Sequence, residues 1–136
     1  GIAIDESSST VLISDFGVGE DCAGSGSLCF DESYYAGIWR YDMNGNYIET
    51  ITGDFSRPQG MAVNDAGIIF LVDSLLGEVL VLEKDFLTGN YPIIERYGSD
   101  LPLQLPLDVV LDEQSNNLYV TNNLLNKIDV IVGGGN

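Results

Sequence analysis

Three residues with oxygen-bearing side chains stand at equivalent places in this chain, each at the end of a short apolar run. They are Asp15, Asp73 and Asn122. Carboxylate and amide oxygens suit Ca²⁺ as ligands. The same groups also cap turns by accepting hydrogen bonds from backbone N–H groups. Because the position recurs in every block, and turn chemistry preserves a repeat whereas a metal site breaks it, the pattern favours capping, with a calcium site as the alternative.

The chain has no histidine, and this restricts the catalytic chemistry it could perform. Ser/His/Asp and Cys/His arrangements are excluded, as are zinc and iron centres held by histidine. No glycine-rich stretch has the spacing of a phosphate-binding loop. We therefore expect no catalytic residues.

The two cysteines, Cys22 and Cys29, flank a short Gly/Ser-rich segment. Two thiols in a chain without histidine make a poor zinc site, since structural zinc usually takes four Cys or His ligands. A local disulfide is the better interpretation, and two unpaired thiols are the alternative. A disulfide predicts a secreted, periplasmic or cell-surface location.

Acidic and aromatic residues surround the cysteine segment within one long loop. Loops of this length in compact domains are usually either functional or disordered. We predict a partner-binding loop, and a plain solvated loop is an equally open interpretation. The residues concerned are Glu20, Asp21, Asp31, Glu32, Tyr34 and Tyr35.

The charge of the chain excludes several classes of partner. Twenty-one acidic residues against five basic ones give a formal net charge of −16. A nucleic-acid backbone would be repelled, as would an anionic membrane surface. No apolar run approaches the roughly 20 residues that a membrane-spanning helix needs. The charge indicates a solvated exterior, or an attraction for Ca²⁺ or a cationic partner.

The elements that position these residues are short β-branched runs, repeated in three blocks and bounded by turn residues. The blocks are residues 1–56, which carry an insertion at 17–36, then 57–104, and an incomplete 105–136. Without the insertion the period approaches the ~40–45 residues of a four-stranded propeller blade. Fourth strands are predicted at Tyr47–Thr52 and Tyr91–Tyr97, and none after Val132.

Two stretches of the chain resemble repeats of a known family. The run Arg57-Pro-Gln-Gly-Met-Ala-Val-Asn64, continued by Ile69–Asp73 and Val79–Leu82, is similar to one whole NHL repeat. Residues 105–130 are similar to most of another. The resemblance to the NHL-repeat β-propeller family implies an all-β fold of blades with four antiparallel strands. It implies about three blades, part of a six-bladed ring.

Three blades cannot close a ring, since propellers typically need about 4–8. The open faces of the first and last blades would leave apolar surface uncovered, which marks a contact with another chain or with missing sequence. We expect self-association or a protein partner to complete the propeller. An opening without Met, directly on an inner-type strand, favours a processed or partial chain.

The resemblance leaves the function open, because related propellers include interaction platforms, lactonases and lyases. We expect a non-catalytic, extracytoplasmic binding or assembly module. The alternative is a lactonase-like hydrolase that needs a completed ring. The resemblance then implies a divalent cation on the channel axis, with Asp15 or Asp73 as base. We further predict that Trp39, Arg40 and Tyr41 pack on a sheet face rather than contact a ligand. Asn44-Gly45 is predicted to form a hairpin turn, and Gly133–Gly135 a flexible tail.

Overall fold

The structure is a computed structural model that describes residues 1–16, 18–19, 29–30, 36–98, 100 and 102–136. Within these residues the fold is all-β, as predicted, apart from one short 3-10 helix at Asn123–Leu125. The strands are β1 Ile2–Asp5, β2 Thr10–Asp15, β3 Val18–Gly19, β4 Cys29–Phe30, β5 Gly37–Asp42, β6 Tyr47–Ile51, β7 Pro58–Val63, β8 Ile69–Asp73, β9 Glu78–Leu82, β10 Ile93–Tyr97, β11 Pro106–Asp112, β12 Asn117–Asn122 and β13 Lys127–Ile131.

The strands form three antiparallel sheets, one for each block of the repeat. Sheet I has the order β1-β2-β5-β6, sheet II the order β7-β8-β9-β10, and sheet III the order β11-β12-β13. Strands β3 and β4 form a separate two-stranded ribbon. In the sequence they lie between β2 and β5, in the predicted insertion. The predicted fourth strands of the first two blocks are confirmed as β6 and β10.

A tight turn joins β5 to β6 at Asn44-Gly45, which confirms the predicted hairpin. Gly45 has φ 85, in the left-handed region that favours glycine. Asp42 Oδ1 accepts hydrogen bonds from the backbone N–H groups of Asn44 and Asn46, each at 2.8 Å. Hydrogen bonds from the side chain and backbone of Asn46 are the main cause of a lowered pKa for Asp42.

Sheet II lies between the other two sheets and is buried on both faces. One face packs against sheet I in a core that contains Leu12, Ile38, Leu71 and Leu80. The opposite face packs against sheet III in a second core. Strand β8 is therefore buried at every position, whereas β2 alternates between buried and more exposed residues. This explains why β8 has a continuous apolar run and β2 has an interrupted one.

The first strands of the three sheets, β1, β7 and β11, lie next to one another. The approach is closest at Gly60 of β7, where an added Cβ would lie 2.6 Å from Asp108 Cα in β11. Sheet I is tied to the same strand, because Ser14 Oγ donates a hydrogen bond to the carbonyl of Gln59. Glycine at position 60 thus allows the inner strands to meet at backbone distance.

The prediction of a flexible tail at Gly133–Gly135 is wrong. Gly134 and Gly135 are buried, and Gly135 N–H donates to the carbonyl of Asn116 at 2.9 Å. The carbonyl of Gly135 accepts a hydrogen bond from Asn64 Nδ2 at 3.1 Å, which ties this segment to sheet II. The glycines serve close packing here, since a Cβ at Gly134 would lie 2.6 Å from Ile131 Cγ2.

Candidate functional site

Asp73 lies at the end of β8 and is fully buried. Its carboxylate accepts four backbone hydrogen bonds, listed here by donor: Ser56 at 2.7 Å, Arg57 at 3.0 Å, Leu75 at 3.2 Å and Leu76 at 3.1 Å. The first two donors precede β7 and the last two belong to the turn after β8. One carboxylate therefore fixes the entry to the sheet and the following turn, which is capping geometry.

Asn122 occupies the equivalent position at the end of β12 and is also fully buried. Its Oδ1 accepts a hydrogen bond from Gln104 N–H at 3.0 Å. Its Nδ2 donates to the carbonyl of Pro102 at 3.0 Å and to Asp129 Oδ2 at 2.7 Å. The amide thus uses both donor and acceptor atoms to hold the chain before β11 and to orient Asp129.

Asp15 takes the third equivalent position, at the end of β2, but is exposed. Across the described ranges, no group of three or more Cys, Asp or Glu side chains has an arrangement that could hold a metal ion. The oxygens of Asp73 and Asn122 are engaged with protein groups, so ligation of Ca²⁺ would compete with the capping bonds. The calcium alternative stays a prediction.

The predicted partner-binding loop falls on residues outside the described ranges. This applies to Glu20, Asp21, Asp31, Glu32, Tyr34 and Tyr35, and to Cys22 of the predicted disulfide. Only the backbone of Cys29 is described, where β4 pairs with β3 opposite Gly19. The loop and the disulfide therefore stay predictions.

A buried polar cluster joins sheets I and II around Arg40. Arg40 is 5% exposed, and its Nη1 donates to Asp5 Oδ2 at 2.7 Å. Nε donates to Glu49 Oε1 at 3.0 Å, and Nη2 donates to the hydroxyl of Tyr91 at 2.9 Å. Tyr91 precedes β10 in sheet II, so one arginine links strands of both sheets. Its position on the buried face of β5 confirms the prediction of sheet-face packing.

Electrostatics within the cluster favour the charged forms of Arg40 and Asp5. Burial is the largest influence on Asp5 and raises its pKa. Hydrogen bonds from Ser7, Arg40 and Ser8 outweigh burial and lower the pKa of Asp5 to about 2. Burial likewise lowers the pKa of Arg40, but the hydrogen bond to Asp5 and the neighbouring charges raise it overall. Burial raises the pKa of Tyr91. The cluster is therefore a stable ion-pair network.

A cavity of about 440 Å³ lies beside this cluster, between the turn after β1 and the segment after β9. Its lining includes Asp5, Arg40 and Tyr91, which are already bonded to one another. Lys84 Nζ lies 5.6 Å from the ring centroid of Tyr91. The polar groups of Asp5, Arg40 and Tyr91 already bond to one another, so they are engaged and not directed at a ligand. We therefore interpret the cavity as a packing gap between sheets I and II.

Little in the amino-acid sequence indicates the Arg40 cluster. In the sequence, Asp5 and Tyr91 stand at the ends of ordinary strand patterns. The available signal was a lone Arg inside an apolar strand, since a buried arginine requires acidic partners. In the paired sheet, Arg40 lies opposite Leu12 on one neighbouring strand and opposite Glu49 on the other. The sequence alone does not show this register.

The outward side of sheet I is a second candidate surface, and it is apolar. We call it the sheet I outer face. Strand pairing places its side chains in two cross-strand rows: Ile2, Ile13 and Trp39 in one, and Ile4, Val11, Tyr41 and Tyr47 in the other. Trp39 is 37% exposed, and Tyr41 and Tyr47 pack edge to face with centroids 6.0 Å apart.

The outward side of sheet III is also apolar, and we call it the sheet III outer face. Its residues are Val110, Tyr119, Thr121, Ile128 and Val130. Ile128 is 63% exposed although it pairs with Thr121 of the neighbouring strand β12. Within the part of the chain that the structure describes, the stack therefore ends in an uncovered apolar sheet face on both sides.

No family model matches the chain, and no curated protein matches it. Among the described residues, no helix is long and apolar enough to cross a membrane.

Proposed function

We propose that this chain is a non-catalytic binding and assembly module made of three NHL-like propeller blades, which associates with further β-sheet through its two outer faces. The observation that supports this is the contrast between the sheets. Sheet II is covered on both faces, whereas sheets I and III each present an apolar face to solvent. Exposed apolar surfaces of this kind mark interaction sites.

The splay of the sheets supports the propeller part of the proposal. Sheets I and II are in contact on their inner side, where a Cβ at Gly1 would lie 3.0 Å from Gly60 Cα in β7. Farther out, a groove of about 560 Å³ separates β6 from the segment that leads into β10. Sheets that touch at their inner strands and diverge at their outer strands are wedge-shaped, and wedges stack around an axis.

The module acts outside the cytoplasm, and a disulfide between Cys22 and Cys29 secures its long loop. Pairing of β3 with β4 brings the backbone of Gly19, which precedes Cys22 by three residues in the sequence, opposite Cys29. Thiol alkylation followed by mass measurement tests this part. Labelling of both cysteines only after reduction supports it, and labelling of the native chain without reductant contradicts it.

The partner is a protein surface, since the net charge of −16 opposes nucleic acid and anionic lipid. That charge also opposes association between copies, and salt screens the repulsion. The apolar attraction between sheet faces does not depend on charge. We therefore expect association to strengthen as the salt concentration rises.

Sedimentation equilibrium over a range of protein and salt concentrations tests the proposed assembly. The proposal predicts particles heavier than the 14.7 kDa chain, with a mass that rises with protein concentration to a plateau. A compact 14.7 kDa monomer at all concentrations and salt strengths contradicts the proposal.

A further inference from the structure

The two outer faces correspond in position to the two sides of the interface between neighbouring sheets, which the chain contains twice. Asp73 and Asn122 end equivalent strands, so β12 aligns residue by residue with β8, and β13 with β9. On this alignment Tyr119, Ile128 and Val130 correspond to the residues by which sheet II contacts sheet III, namely Phe70, Val79 and Val81. The sheet III outer face is therefore equivalent to the face of sheet II that packs on the following sheet.

The sheet I outer face is the opposite kind. Asp15 aligns with Asp73, so Ile13 and Trp39 correspond to Leu71 and Leu80 of sheet II. Those two residues are fully buried against sheet I. The sheet I outer face is therefore equivalent to the face of sheet II that packs on the preceding sheet.

From this correspondence we infer that the occupant of both faces is a second copy of the chain, joined head to tail. The sheet III outer face of each copy packs on the sheet I outer face of the other, and this repeats the contacts between sheets II and III. The inference rests on the proposed function and specifies its partner. Continuity with the internal interface supports this orientation over contact between two identical faces.

The splay of the sheets favours a closed pair over a filament. Head-to-tail contacts generate rings when the rotation closes and fibres when it does not. Sheets I and II are in contact beside Gly1 and Gly60, and a groove of about 560 Å³ separates their outer strands, so the step from sheet I to sheet II includes a rotation. Two copies of three sheets then form one ring of six, within the number that propellers use.

Two single substitutions separate head-to-tail association from contact between identical faces. Trp39→Lys places a charge on the sheet I outer face, and Ile128→Lys places one on the sheet III outer face. Both side chains are partly exposed, at 37% and 63%, so the cores stay intact. The head-to-tail arrangement predicts that each variant alone loses self-association, with dissociation constants raised at least about 30-fold, the effect of losing an interface hot spot.

Mixing the two variants gives the decisive result. The Trp39→Lys copy keeps an intact sheet III outer face, and the Ile128→Lys copy keeps an intact sheet I outer face with the only tryptophan of the chain. The mixture should form a one-to-one pair through a single restored interface. The emission of Trp39 should shift to shorter wavelength as the tryptophan-free copy is added, because the indole leaves water.

Each outcome has a distinct meaning. Suppose that the wild-type chain associates, that Ile128→Lys still self-associates, and that mixing the two variants gives no additional association. Two identical faces then meet, which overturns the head-to-tail inference and leaves the proposed function standing. If the wild-type chain stays monomeric, both fail. A wild-type mass that grows without limit overturns the closed pair.

Two controls exclude general effects of the substitutions. Leu87→Lys adds the same charge at a side chain that is 98% exposed in the turn after β9, and it should associate like the wild type. Val130→Lys tests the sheet III outer face a second time and should behave like Ile128→Lys. Circular dichroism of each variant verifies that the β-structure is retained.

Discussion

Arg40 and Asp5 form an ion pair in which both side chains are buried and Nη1 lies 2.7 Å from Oδ2. The pair lies where sheet I meets sheet II, and Tyr91 of the neighbouring block completes it through a hydrogen bond of 2.9 Å to Nη2. A buried ion pair is costly to break on one side, because the remaining charge stays in a poorly solvated site.

Arg40→Met should therefore lower the free energy of unfolding by about 3–5 kcal/mol, the usual cost of leaving a buried charge unpaired. Arg96→Met is the matched control. Arg96 pairs with Glu78 at 2.7 Å, but its side chain is 43% exposed, and exposed pairs contribute about 0–1 kcal/mol. Urea denaturation measures both variants. Equal losses would contradict the structural role of the buried pair.

The same pair predicts a specific dependence of stability on acid. The pKa of Asp5 is lowered from 3.8 to about 2 in the folded chain. A carboxyl group whose pKa is lower in the folded state stabilises that state at any pH above its pKa in the unfolded chain. This contribution disappears as the pH falls through its pKa in the folded chain. The advantage of the wild type over Asp5→Asn should thus be constant above about pH 5 and shrink by about 2 kcal/mol between pH 4 and pH 2.

This prediction is checked by unfolding both proteins in urea at a series of pH values. Other carboxyl groups with lowered pKa values, including Asp42 and Asp85, titrate equally in both proteins, so the difference isolates Asp5. A difference that stays constant down to pH 2 would mean that the folded pKa of Asp5 is not lowered.

Asp73 should act as a turn cap whose effect does not require a metal. Asp73→Asn leaves one acceptor oxygen for four backbone donors, and we expect a loss of about 1–3 kcal/mol because buried N–H groups lose their partners. Thermal melting of the wild type with and without Ca²⁺ is the companion measurement. An unchanged Tm is expected, and a rise that depends on Asp73 would favour the calcium alternative.

Gly60 should tolerate no side chain, because β7 and β11 meet there. An alanine Cβ would lie 2.6 Å from Asp108 Cα, so the strands must separate. We expect Gly60→Ala to lower the free energy of unfolding by about 1–3 kcal/mol, the typical cost of overpacking. Gly37→Ala is the comparison, since its Cβ would lie 3.3 Å from its nearest neighbour, the Ile51 carbonyl. A larger loss at Gly37 than at Gly60 would contradict the close approach of the inner strands.

The sequence predicts the local elements of this fold well, because strand and turn signals are local. The Asn44-Gly45 hairpin and the fourth strands of the first two blocks depend only on short patterns, and both are confirmed. The repeated position of Asp73 and Asn122 also indicated their shared local setting, since turn chemistry is set by neighbouring residues.

Features that depend on distant residues could not be predicted in this way. The partners of Arg40 come from β1, β6 and the segment before β10, so their convergence depends on sheet packing. Gly133–Gly135 has the composition of a flexible segment but packs against Asn116 and Asn64. Composition alone carries no information about such tertiary contacts.

The emission of Trp39 tests the central claim most directly, because the only tryptophan of the chain lies on the sheet I outer face. Emission wavelength and acrylamide quenching are measured across a protein dilution series in high salt, with Leu87→Lys as control. If a second copy covers this face, the emission of Trp39 should be blue-shifted and protected from acrylamide at high protein concentration. On dilution the indole should become accessible to acrylamide. An indole that stays equally accessible at every concentration would contradict the account.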